Sequence, residues 1–158
     1  MIHQRLTIAT GERPEVERLQ HAVRGSGGRL TATTVTVYQF LLDRTGPVTI
    51  EQIAEGCRKT MRKVPHMVSL YRITHRLEEL GFVRKVILGD GVVRFEASDV
   101  GHHHHVVCTQ CGRIAELDIC GMEVVEKYVR EVLQFNQLSH TLEYRGVCAE
   151  CVPARPAV

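Results

Sequence analysis

No apolar run in this chain of 158 residues approaches the roughly 18 residues that a membrane-spanning helix needs. No membrane partner is therefore expected. Neither an apolar stretch nor a cleavage site follows Met1-Ile2-His3-Gln4-Arg5, so no secretion signal is read and a cytoplasmic location is expected. Net charge is nearly absent too, at +2. No internal repeat appears beyond a paired C-x-x-C. Without a secretion signal, six cysteines point to metal rather than to a disulfide framework.

The small net charge hides an asymmetry. Residues 1–98 hold 15 Lys/Arg and 10 Asp/Glu, whereas residues 99–158 hold 5 and 8. A basic first part suits a polyanion such as DNA, and an acidic second part suits cations. The length allows one ordinary domain or two small ones. Small domains bury modest cores and often draw stability from metals or dimerisation.

Residues 1–12 show no period and read as a loose arm. Pro14–Arg24 reads as a helix that ends at Gly25-Ser26-Gly27-Gly28. Thr31 is placed to cap a second helix with Val37, Phe40 and Leu41 on one face, and Gly46-Pro47 stops it. Thr49 opens a third, with Gln52 at capping-box spacing. Ile50, Ile53, Ala54 and Cys57 recur at helical spacing, so Cys57 reads as a small buried hydrophobe. A fourth helix is expected from near Pro65 to Leu80, with Leu70, Ile73, Leu77 and Leu80 inward and Gly81 as its stop. Its other face carries Ser69, Arg72, His75 and Arg76, with Tyr71 beside them. Two short helices around a tight turn read as a helix-turn-helix, whose second helix enters the major groove. Phe82–Leu88 and Val92–Ala97 read as strands around the turn Gly89-Asp90-Gly91. A helix-turn-helix followed by a hairpin is the order of a winged helix.

From Gly101 the pattern changes. Strands are expected at His102–Cys108, Arg113–Leu117 and Leu138–Tyr144, with a helix over Met122–Phe135. That helix places Val125, Tyr128, Val129, Val132 and Leu133 on one side. This β-β-α-β run is too short for a large core, so a second copy of the chain is expected to complete it. The fold class is thus α+β. A winged helix-turn-helix domain spans residues 1–98, a hinge spans 99–101, and an α/β dimerisation domain spans 102–158.

The strongest chemical motif is Cys108-x-x-Cys111 with Cys148-x-x-Cys151. Each pair presents two thiolates from one turn, and two turns complete a closed tetrahedral shell that suits structural zinc. The 36 intervening residues exceed a zinc-ribbon gap, and the strand, helix and strand fill it. The competing reading is a thiol redox pair. Cys120 stands apart and reads as a bystander. The internal run His102-His103-His104-His105 places alternate imidazoles on opposite faces of a strand. Four adjacent ligands then serve two sites, with Glu96, Glu116, Glu123 and His140 available to complete the shells. A zinc hydrolase using Glu116 as base is the rival from another class. It leaves the winged-helix order unexplained, so no catalytic residue and no small-molecule substrate are expected.

Taken together, Ser69-Leu70-Tyr71-Arg72, Glu79-Leu80-Gly81, the His102–Cys108 segment with Cys111-Gly112, and Cys148-x-x-Cys151 resemble the ferric uptake regulator family of metal-responsive repressors. The resemblance covers nearly all of the chain after residue 12. It implies a homodimer that binds an AT-rich inverted-repeat operator in double-stranded DNA when metal is bound. It places Tyr71 and Arg72 on the DNA-reading helix and turns Arg29 toward the minor groove. It implies a domain-bridging sensory site of Glu96, His103, His105 and Glu116, and a second site of His102, His104, Glu123 and His140. The sensed ion is Fe2+ or Zn2+, with Mn2+ and Ni2+ also within the family's range, beside a structural Zn2+. Peroxide sensing on the same fold is the alternative. There are two departures. Thr34 stands where the family often has Arg, and Pro47 stands where several members have a bridging His, a role left to His66, His3 or water.

Overall fold

A computed structural model describes residues 13–62, 64–98 and 101–152. The arm at 1–12 and the hinge residues Asp99 and Val100 lie outside these. Four helices come first: α1 (Pro14–Gly25), α2 (Ala32–Leu42), α3 (Ile50–Thr60) and α4 (Met67–Glu79). Side-chain caps account for the starts of α2 and α3, and Pro14 stands in the first turn of α1. Thr31 Oγ1 accepts from Thr34 N at 3.1 Å, so Thr34, the departure noted above, belongs to the cap of α2. Thr49 and Gln52 form a reciprocal capping box at α3, with Thr49 N donating to Gln52 Oε1 at 2.8 Å. Gly81, at φ +77°, ends the α4 turn in a conformation that L side chains rarely adopt.

The core lies almost entirely in this first part. Leu19, Val37, Tyr38, Leu41, Ile53, Cys57, Leu70 and Leu77 are buried from four helices into one cluster. On α4 the inward position between Leu70 and Leu77 is Thr74, with Ile73 half-buried. Thr74 returns its hydroxyl to Leu70 O and Tyr71 O, both at 3.1 Å, so burying it leaves no orphan donor. Gly56 on α3 faces the Phe40 ring so closely that a Cβ there would lie 2.1 Å from it. The glycine is what lets α2 and α3 approach.

A hairpin of β1 (Val83–Ile87) and β2 (Val93–Ala97) closes this part. Its register sets Arg84 opposite Glu96 and Lys85 opposite Phe95. Val48 adds an antiparallel bridge to Phe95, which completes the winged-helix arrangement. Asp90 at the tip accepts from Val92 N at 3.0 Å and pairs with Arg94 at 2.6 Å.

The second part is a three-stranded sheet of order β4-β3-β5, with β3 (His104–Cys108), β4 (Ile114–Leu117) and β5 (Glu143–Gly146). Strand β3 pairs antiparallel with β4 and parallel with β5. Helix α5 (Glu123–Glu131) has no buried residue in this single chain. The described side chains buried in this part are His103, His104, His105, Val107 and Cys108, which is polar and sulfur chemistry rather than a hydrophobic core.

Candidate metal centres and recognition helix

Three clusters of donor atoms, each drawn within 4.8 Å, occur among the described residues. The first is Cys108, Cys111, Cys148 and Cys151. Gly112 N closes the turn after Cys108 on its carbonyl at 3.0 Å, and Cys151 N does the same on Cys148 O at 2.9 Å. Each C-x-x-C thus presents both sulfurs from one side of a tight turn. Cys111 and Cys148 Sγ lie 3.8 Å apart, and all of these cysteines are free thiols. A tetrahedron with metal–sulfur bonds of about 2.3 Å has an edge of about 3.8 Å, so the four donors fit a zinc-sized ion. Backbone N–H groups of Cys111, Cys148 and Gln110 lower the Cys108 thiol to about 6, which favours its thiolate. Hydrogen bonds with the Cys111 and Cys148 thiols push Cys151 up to about 12.

The second cluster is His102, His104, His140 and Cys120. The three Nε2 atoms converge, with His102 to His104 at 3.1 Å and His104 to His140 at 3.3 Å. Cys120 Sγ lies 3.2 Å from His140 Nε2. Cys120, read from sequence as a bystander, therefore stands at the fourth position. Glu123 lines the same pocket, yet it is not one of the converging donors. Glu126 Oε1 holds His140 Nδ1 at 3.0 Å, which turns the other ring nitrogen inward, the usual orienting partner of a metal-binding imidazole. Burial, with the charges of His102 and His140, pushes His104 down and so favours the neutral, ligating form.

The third cluster is Glu96, His103 and His105, all buried. Glu96 Oε2 meets His103 Nε2 at 3.3 Å and His105 Nε2 at 3.2 Å. Glu96 comes from the wing hairpin and the imidazoles from the second sheet, so this ligand set spans both parts of the chain. Glu116 lies directly across β3/β4 from His105, on the same face, and its carboxylate stays outside the convergence. Burial raises the Glu96 carboxyl, but the His105 hydrogen bond and the Arg84 charge outweigh it and hold it below the usual value. Neither Pro47 nor His66 joins the cluster, and His3 lies outside the described residues. Instead Arg84 enters it, with Nε on Glu96 Oε1 and Nη2 2.7 Å from His103 Nε2. The signal was available in the sequence: Arg84 and Glu96 lie equally far on either side of Asp90, the tip of the hairpin.

On α4, Ser69, Tyr71, Arg72, His75 and Arg76 are all exposed, as is Arg29 before α2. Arg76 is engaged by Glu79 at 3.0 Å and Ser26 Oγ at 2.7 Å. His75 lies 3.4 Å from Glu79. Arg72 makes no ion pair among the described residues.

A winged helix joined to a small sheet that carries thiolate and imidazole clusters defines a metal-binding DNA regulator. The ferric uptake regulator family model matches residues 14–145, and the chain belongs to that family, whose members are transcriptional regulators rather than enzymes. The peroxide-responsive repressor PerR of Staphylococcus saprophyticus is 26% identical over 144 residues, covering 87% of this chain and 96% of that protein. The Staphylococcus aureus PerR is 23% identical over the same span and shares. Among solved structures, the Helicobacter pylori ferric uptake regulator, described as having three functional metal-binding sites, superposes with a TM-score of 0.78 at 23% identity, covering 92% of this chain and 97% of that one. The Vibrio cholerae regulator gives 0.69 at 20% identity, covering 82% and 99%. At these identities the structural likeness is one of fold.

Proposed function

We propose that this metal-responsive regulator is a homodimeric repressor that grips an AT-rich inverted-repeat operator when its bridging site is loaded. The observation that carries the reading is the convergence of Glu96 from the wing with His103 and His105 from the second sheet. A ligand set shared between two bodies favours one angle between them when filled. That angle would space the two α4 helices of a dimer one helical turn apart on the duplex. A bound divalent ion would supply only charge and directional bonds; the chain's own residues supply the geometry. Tenfold in DNA affinity needs about 1.4 kcal/mol of coupling.

In this reading residues 102–158 are the dimerisation domain, and the four cysteines hold a permanent Zn2+. His102, His104, Cys120 and His140 hold a second zinc-class ion. Glu96, His103 and His105 take the sensed Fe2+ or Zn2+, with Glu116, opposite His105 on the same face, as the expected further ligand. On α4, Tyr71 and Arg72 read bases, Ser69, His75 and Arg76 flank them, and Arg29 reaches the minor groove. Among the described residues Arg72 makes no ion pair, which supports this, since none of those pairs must break for it to meet DNA.

The test is operator binding across Fe2+, Zn2+, Mn2+ and Ni2+, with metal content measured on the same samples. Binding is expected only with the sensed ion, and Arg72→Ala is expected to abolish it with zinc content unchanged. Equal operator occupancy by stripped and reloaded protein would end this reading. The names of the two staphylococcal relatives favour a second reading, a response to peroxide. Irreversible loss of binding after brief peroxide exposure of the iron-loaded protein would support it.

A further inference from the structure

We propose that Arg84 is a built-in competitor for the bridging cluster. Its guanidinium holds the place beside Glu96 and His103 that an incoming divalent cation needs, and so sets the metal concentration at which the site fills. The proposal rests on reading Glu96, His103 and His105 as a metal site.

Glu96 is only 4% exposed, and a buried carboxylate is unfavourable without a counter-charge. Arg84 supplies one from the facing strand, with its Nε on Glu96 Oε1. The same guanidinium places Nη2 2.7 Å from His103 Nε2 and 2.9 Å from Nδ1. A single nitrogen this close to both ring nitrogens lies against the face of the His103 ring, with the guanidinium also on Glu96. Arg84 thus fills the space and supplies the positive charge between the carboxylate and the imidazole. An ion bound about 2 Å from Nε2 would also sit close to a positive guanidinium in a site with little water to screen the two. Arginine and metal therefore exclude one another.

The way out is open. The Arg84 side chain keeps 36% of its surface exposed, so it can swing into solvent as the ion takes over the carboxylate. Before that it already links the wing hairpin to the segment that carries His103, and the site begins from a closed rather than a splayed arrangement. Among the described residues no further His, Cys, Asp or Glu donor joins the three, and Arg84 stands beside them.

The test uses the full-length protein with its four-cysteine zinc in place and no DNA. Zn2+ affinity at the bridging site is measured by competition with a chromophoric chelator. Arg84→Gln is expected to bind at least tenfold more tightly than wild type, Arg84→Lys to stay closer to wild type, and His103→Ala in the Arg84→Gln background to erase the gain. A second readout needs no variant. The Arg84 Nε–H resonance, protected from exchange in the metal-free state, is expected to lose that protection as Zn2+ is added. Unchanged or weaker affinity in Arg84→Gln, or a protected resonance at saturation, would overturn the role of Arg84. If neither wild type nor Arg84→Gln takes up an ion that His103→Ala removes, the bridging site itself is refuted, and the proposal with it.

Discussion

A thiol among imidazoles changes which ions a site prefers. Sulfur favours zinc over the harder manganese and magnesium, and a shell of three imidazoles and one thiolate is a closed tetrahedron with no place for substrate. With Cys120 as donor, Cys120→Ser is expected to lower zinc content by one equivalent per chain, or to weaken that site at least tenfold, about 1.4 kcal/mol. Glu123→Gln should leave it unchanged. Metal analysis of both variants decides, and the opposite pattern would return the fourth position to Glu123. The imidazoles were legible because strand alternation sorts His102 and His104 from His103 and His105 whatever the details. The alternation even extends past the end of β3 to His102 and His103. Cys120 was not legible, because it sits in irregular chain before α5, where no period points a side chain anywhere. Glu123 entered as one of several available carboxylates, and only the family resemblance assigned it to this site.

Helix α5 and its C-cap residue carry Val124, Val125, Tyr128 and Val132 between 52% and 80% exposed, and Phe135 and Tyr144 are also exposed. A helix with so much exposed apolar surface and no buried residue lacks a covering layer, and a second copy supplies it in the reading above. Val125→Asp places a charge in that layer and is expected to raise the dimer dissociation constant at least tenfold with four-cysteine zinc retained. Sedimentation velocity reads the outcome, and an intact dimer at low protein concentration would argue that α5 faces elsewhere. Among the elements, α2 and α3 were readable from the caps at Thr31 and Thr49 together with their apolar residues, and α1 and α4 from apolar spacing and the glycines that stop them. Strand β5 was not. Leu138–Tyr144 has a strand-like composition, yet pairing with β3 begins only at Glu143 opposite His105. The segment before it turns His140 into the imidazole cluster instead of into a ladder. Helix α5 likewise stops at Glu131 rather than Phe135. Gln134, at φ +57°, turns the chain out of the helical conformation.

At the scale of the whole molecule, the chain divides its stability unequally. Residues 13–98 bury a hydrophobic cluster drawn from all four helices and the hairpin, while the second sheet encloses histidines and a cysteine. Metal binding to such a sheet is folding free energy as much as affinity. Dialysis against a mild chelator is expected to empty the mixed nitrogen and oxygen site first, then the three-histidine site, and to leave the all-thiolate ion in place. Metal content and far-ultraviolet circular dichroism followed together should show helix content surviving each step. Simultaneous loss of every ion, or collapse of the helices with the first, would contradict this ordering.

Among the described residues, the wing hairpin meets the second part at two separate points. Near its base, Arg84 and Glu96 touch His103 and His105. At its tip, Gly89 N donates to Glu143 Oε2 at 2.9 Å, and Arg145 reaches Gly89 O at 3.4 Å. A beam resting on two pivots keeps a single degree of freedom, rotation about the line that joins them. In the proposed reading, seating both pivots restrains the reading head to that rotation, so filling the base site is expected to swing α4 one way rather than loosen it.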